Sequence, residues 1–134
     1  MRYQRAEQPL KLDGPAAARA FFASCFAESD PARECLWVAH LNDQRHCLHL
    51  ARYSGATGHA PFPIRSIVTD ALLCGSTAIL LAHNHPSEDT RPSKSDRIAT
   101  RRLNQVAEAI DCRLVDHLIF GGSSFSSFRQ MGLL

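Results

Sequence analysis

No stretch of this 134-residue sequence approaches the roughly 20 apolar residues that a membrane-spanning helix needs. Residues 1–10 lack the apolar core of a secretory signal, so the cytoplasm is the expected compartment, with no membrane partner. Charge of one sign is lacking as well. Fifteen Lys and Arg against thirteen Asp and Glu leave a formal net charge of +2, which gives no strong pull toward nucleic acid or an anionic surface. The five cysteines (Cys25, Cys35, Cys47, Cys74 and Cys112) are odd in number, scattered, and free of any CxxC pair. They exclude a disulfide frame and read as reduced, mostly buried small hydrophobes. There is no repeat, no low-complexity segment and no linker. What is present, 45% hydrophobic and 21% charged residues, suits one globular domain long enough to bury a core.

Along the chain, residues 1–14 are polar and read as a loose lead-in, with Asp13 able to cap a helix that has Pro15 in its first turn. From Ala16 to Glu28 the residues Ala18, Phe21, Phe22, Cys25 and Phe26 fall on one helical face, and Ser29-Asp30-Pro31 stops the helix. Glu34–Leu41 and Cys47–Tyr53 read as a hairpin turned at Asn42-Asp43, and Ser54–Pro63 as loop. Ile64–Cys74 places Ile67, Val68, Ala71 and Leu72 at helical spacing, with Gly75 as a stop. Thr77–Ala82 is a continuous apolar run, expected to be a central strand covered on both faces. A helix over Ser93 to about Ile110 should turn Ala99, Leu103, Val106 and Ile110 inward. Strands follow over Arg113–Phe120 and Ser124–Phe128, joined by a Gly121-Gly122 turn. This order predicts a single three-layer α/β/α domain around a mixed sheet.

The informative stretch lies between the central strand and the long helix: His83-Asn84-His85-Pro86, then Ser93-Lys94-Ser95-Asp96. Two histidines one residue apart at the end of a strand point the same way. Open α/β sheets commonly place ligands at that end. A His83/His85/Asp96 set suits zinc, and three protein ligands leave a fourth position for water, as in catalytic sites. Ser93 to Asp96 is equally a capping box, in which Ser93 accepts from the Asp96 N–H and Asp96 returns the bond. The two readings are compatible, because a capped helix start is a rigid place to hold a ligand.

Positions 83 to 96 fit, without a gap, the pattern His-x-His, seven residues, Ser, two residues, Asp, and so resemble the JAMM metalloprotease motif in the form found in the RadC family. Asp96–Leu103, Leu114–Ile119, Ser127-Phe128 and Gly132–Leu134 are similar to the family too, as are Arg65–Leu72 and the Gly55 turn. The resemblance spans about residues 30–134, with 1–29 as lead-in and N-terminal helix. It implies a JAB/MPN (cytidine-deaminase-like) fold, one Zn2+ per chain on His83, His85 and Asp96, and hydrolysis of a peptide or isopeptide bond in a protein or peptide substrate. It assigns Ser93 to the oxyanion, beside its capping role.

The family also uses a glutamate on an upstream strand shortly before the position of Gly55. Residues 49–55 hold neither Glu nor Asp, Leu50 falls near the expected place, and Glu34 sits on the preceding strand at a different family position. Function is therefore read two ways: a zinc metallohydrolase, or a metal-binding or interaction domain without turnover. His49 could stand in as base or extra ligand, or be an ordinary strand histidine. Glu88, where the family usually carries glycine, and Asp89 could approach the metal or be solvated loop charges. His117, in an Asp-His pair that matches the family, fits a hydrogen-bonding role toward the ligands, whereas His40, His46 and His59 carry no signal. Arg91, Lys94, Arg97, Arg101 and Arg102 form a basic patch, so a DNA-repair accessory role through Arg97 and Arg101 is a third reading. Longer RadC proteins carry an N-terminal helix-hairpin-helix region, for which 134 residues leave no room.

Overall fold

The computed structural model describes residues 10–54 and 62–134. His59 and most of the loop expected over 54–63, like residues 1–9 of the lead-in, lie outside them. Three helices, α1 (Pro15–Ala27), α2 (Ile64–Cys74) and α3 (Lys94–Ala109), pack on one sheet of five strands. The strands are β1 (Cys35–Leu41), β2 (Cys47–Ser54), β3 (Ala78–Asn84), β4 (Arg113–Gly121) and β5 (Ser124–Ser127), arranged in space as β2-β1-β3-β4-β5. Only the β3/β4 pair is parallel, so the sheet is mixed.

Both faces are covered, as the unbroken apolar character of the central strands requires. Every residue of β1 and β3 is buried. Alternate side chains divide between two cores. Trp37, Ala39, Leu80 and Ala82 meet Phe22 and Cys25 of α1, while Val38, Ile79 and Leu81 meet Ile67 of α2 and Leu103 of α3. All five cysteines are free thiols, four of them buried.

Where the elements begin and end follows local chemistry. Ser93 caps α3 and Asp96 closes the capping box from the other side. Gly75 ends α2 in the left-handed conformation, φ 69°, where glycine has no Cβ to clash. Three sequence expectations need correction. Asp13 does not cap α1: Gly14 occupies that position without a side-chain bond, and Asp13 instead lies 3.8 Å from Lys11. The lead-in is not loose at its end, since Lys11 bridges His46 and Leu12 is buried. On α3 Leu103 is buried and Ile110 packs against the core as expected, joined by Thr100 and Ala107, but Val106 is exposed, as is Leu72 on α2.

One irregularity matters for the site. Between β3 and β4 the register jumps from Ile79↔Leu114 to Leu80↔Asp116, leaving Val115 as an extra residue. A one-residue insertion reverses which face later side chains take. Leu114 lies on the α2/α3 side and Val115 on the α1 side, and the bulge then returns His117 to the α2/α3 side, beside His83. Asp116 within the bulge accepts hydrogen bonds from the N–H groups of His117 and Arg129 and from the Ser127 hydroxyl.

His40 is fully buried on β1 and neither ring nitrogen has a hydrogen-bond partner among the described residues. Burial, and then His49 beside it, push its pKa down to about 4, while Asp70 pulls the other way. The unfolded chain therefore binds this proton more tightly, so stability present above the ordinary histidine range is lost as pH falls toward the folded value. Between about pH 7.5 and pH 5 the wild type should lose about 2 kcal/mol more than His40→Leu, by urea unfolding at both pH values. Equal losses would show that this histidine does not titrate differently in the two states.

Candidate metal centre

The carboxyl end of β3 delivers His83, and the chain continues extended for one more step to His85, whose N–H donates to the Phe120 carbonyl of β4. The two imidazole rings stand 4.8 Å apart, with their Nε2 atoms 2.9 Å from one another. The first turn of α3 brings Asp96 against both, Oδ1 at 3.5 Å from His83 Nε2 and Oδ2 at 3.1 Å from His85 Nε2. Asp96 Oδ2 also accepts the Ser93 N–H at 2.9 Å, and the Asp96 N–H donates to Ser93 Oγ at 3.0 Å. The capping box and the histidine-facing carboxylate are one residue performing two tasks.

Glu34 completes the cluster. It immediately precedes β1, and because β1 runs antiparallel to β3 with Leu36 opposite His83, the start of β1 adjoins the end of β3. Its Oε1 lies 3.9 Å from His83 Nε2, and ligand atoms of Glu34, His83 and His85 all fall within 4.8 Å of one another. A carboxylate therefore reaches the histidines from one strand earlier than residues 49–55. Strand pairing, invisible in the linear sequence, decides this. The signal that could have found it is the antiparallel neighbour of the histidine strand: its first residues must lie beside the last residues of that strand.

Hydrogen bonding sets which nitrogen of each histidine faces the cluster. The Thr100 hydroxyl donates to the Asp96 carbonyl at 2.7 Å, so it accepts from His117 Nδ1 at 2.8 Å. His117 is wholly buried, and desolvation first, then the nearby His83, hold its pKa well below the usual histidine range, which keeps it neutral. Its Nε2 is then an acceptor, and the 2.6 Å contact has His83 Nδ1 donating. His83 therefore turns its Nε2 toward Asp96 and Glu34. His85 Nδ1 likewise donates to the Asp89 carbonyl at 2.6 Å, which turns Nε2 inward toward Asp96. Two imidazole Nε2 atoms and the carboxylates of Glu34 and Asp96 thus gather at one place, a donor set that suits a divalent cation.

The charge balance agrees. Burial disfavours the Asp96 carboxylate, but His83 and His85 beside it and the Ser93 N–H outweigh that and hold its pKa well below the carboxylate range. The Asp96 hydrogen bond raises that of His85, against the opposing effect of burial.

Other residues singled out in the sequence lie elsewhere. His49 pairs with His40, four residues along β1 from Leu36 and so about 13 Å from the cluster, with its Nε2 3.7 Å from Asp70. Asp89 is engaged by the Arg91 guanidinium at 2.8–3.1 Å, which holds its pKa down to about 2. Glu88 adopts φ 68°, the left-handed region that explains a glycine preference there, and its carboxylate lies over Gly122. Neither acid joins the histidines. Lys94, Arg97, Arg101 and Arg102 are exposed along α3. Thr100, by contrast, drew no attention in the sequence.

Fold and site together define an α/β domain of the JAB type, a mixed sheet presenting paired histidines to a capped-helix aspartate. The RadC-like JAB domain model matches residues 12–133, which takes in α1, and the chain belongs to that family. It is 40% identical over 103 residues to UPF0758 protein YfjY of Escherichia coli (strain K12), across 76% of this chain and 64% of the relative. It is equally 40% identical over 103 residues to UPF0758 protein YkfG of the same organism, across 65% of that protein. The matched stretch therefore spans just under two thirds of these relatives. Among the described residues no helix is long and apolar enough to cross a membrane.

Thr100→Val keeps the shape of the side chain and removes the hydroxyl that orients His117 and, through it, His83. Affinity for a divalent cation, measured with Zn2+ against a chromogenic chelator, should fall about 10–100-fold. Unchanged affinity would mean that this chain of hydrogen bonds does not orient the histidine.

Proposed function

We infer that this chain is a metal-dependent hydrolase of peptide or isopeptide bonds. The observation that carries the reading is the convergence of Glu34 on His83, His85 and Asp96, a base beside a cation-binding set. His83 and His85, each through Nε2, and Asp96 are the residues that would hold zinc. Zinc, when bound, supplies Lewis acidity, lowering the pKa of water to about 7 and polarising a carbonyl. The alternative of a metal-binding module without turnover drew its support from a missing carboxylate, and the Glu34 carboxylate 3.9 Å from His83 weighs against it.

The remaining work falls to the chain itself. Glu34 is fixed in backbone position by the start of β1, while its side chain keeps 27% exposure, enough to reach water and a leaving group. It takes the proton from the attacking water and returns it to the departing amine. Ser93 Oγ accepts the Asp96 N–H, which leaves its own proton free to donate. Turned from Ser95 Oγ, 3.0 Å away, toward the substrate, that hydroxyl stabilises the negative oxygen of the tetrahedral species. The buried His83–His117–Thr100 chain holds the imidazole in place, so none of its orientation is lost to side-chain freedom.

Wild-type protein purified without added metal should carry near one equivalent of zinc per chain, and Asp96→Ala little. Glu34→Gln should retain its zinc and lose about 100-fold or more of kcat/KM on a cleavable peptide. Zinc absent from the wild type, or full turnover in Glu34→Gln, would contradict the reading.

A further inference from the structure

A cavity of about 560 Å³ opens next to the cluster, on the other side of the sheet. Such a volume is typical of pockets that take a substrate group. His85 contributes to both: its Nε2 faces Asp96, while the residue also lines the cavity. Asn84 forms part of the wall between them. Its carboxamide is pinned on both sides, accepting the Cys35 N–H at 2.8 Å and donating to the Arg33 carbonyl at 2.9 Å. A peptide laid across the end of β3, with its scissile bond at the Glu34 side, would carry the neighbouring side chain into this cavity.

The lining says which side chain. Ala23, Phe26 and Ala27 from α1, with Pro86 and Phe120, make apolar walls, and Phe26 and Phe120 pack with ring centroids 5.1 Å apart. Asp30 and Glu88 contribute carboxylates to the lining, and among the described residues no lysine or arginine lines the space. Asp30 spends Oδ1 on the Ala32 N–H, and the Glu88 carboxylate has no hydrogen-bond partner among the described residues. Glu88 is moreover held there by the backbone. Its carbonyl lies 2.8 Å from where a Cβ on Gly121 would stand, an approach that only glycine permits. Apolar walls flanked by two exposed carboxylates match a long aliphatic stem with a cationic tip.

We propose that this cavity is a specificity pocket for a lysine or arginine side chain of the substrate, adjoining the bond to be cut, with Glu88 and Asp30 receiving the cation. The proposal rests on the hydrolase reading above and adds the substrate class.

The test uses four fluorescent peptides that differ at one central position: lysine, arginine, norleucine or glutamate. Cleavage by the zinc-loaded wild type is mapped by mass spectrometry, and binding to Glu34→Gln protein is read by anisotropy. Lysine and arginine peptides should be bound and cut about tenfold better than the norleucine peptide, and glutamate worst. That ratio should collapse toward one when Glu88→Gln and Asp30→Asn are combined. Cleavage without side-chain preference, or a preference that the double variant keeps, overturns the pocket and leaves the hydrolase reading standing. Preferential binding that the double variant loses, with no cleavage of any peptide, supports the pocket and overturns the hydrolase reading. Neither binding nor cleavage overturns both.

Discussion

A short chain of buried hydrogen bonds, from the Asp96 carbonyl through Thr100 and His117 to His83, is the constraint on which the candidate site depends. It joins the first turn of α3, the middle of β4 and the end of β3, three elements that follow one another in the chain. Burial holds His117 neutral at its centre, so the middle link carries no desolvated charge. A broken link would leave a polar group without a partner in the interior, at a cost of about 1–3 kcal/mol. The chain therefore contributes to folding specificity while fixing the orientation of the His83 imidazole.

That arrangement depends in turn on two backbone devices. The bulge at Val115 reverses the phase of β4, and without it His117 would face α1. The capping box of α3 fixes the Asp96 backbone, so its carboxylate meets both histidines while its carbonyl receives Thr100. Both devices serve stability and site geometry at once. The histidines and carboxylates of the cluster are thus carried on a rigid frame of strand ends and one helix start, consistent with the rule that ligands gather at the carboxyl ends of open α/β sheets.

Much of this was legible in the sequence because the key residues lie close together. His83, His85, Ser93 and Asp96 fall within fourteen positions, and strand and capping periodicities alone bring them to one place. The helices and strands were readable for the same reason, since each depends on local pattern and punctuation. What escaped was everything set by pairing between distant segments. Glu34 lies 49 residues before His83 and reaches it only because β1 is antiparallel to β3. Thr100 reads as an ordinary helix residue until β4 is placed beneath it. The bulge leaves no mark, since Leu114-Val115-Asp116 alternates like any strand. Glu88 was recognisable as a departure from the family, but its left-handed backbone and its position over Gly122 emerge only in three dimensions.

The most direct measurement is the anomalous difference map, at the zinc absorption edge, of crystals grown from the zinc-loaded protein. The account predicts one strong peak per chain, bonded to Nε2 of His83, Nε2 of His85 and the Asp96 carboxylate, with Glu34 beside it and His117 still hydrogen-bonded to His83 Nδ1. A peak elsewhere, a His83 rotated to coordinate through Nδ1, or no peak at full zinc loading would contradict it.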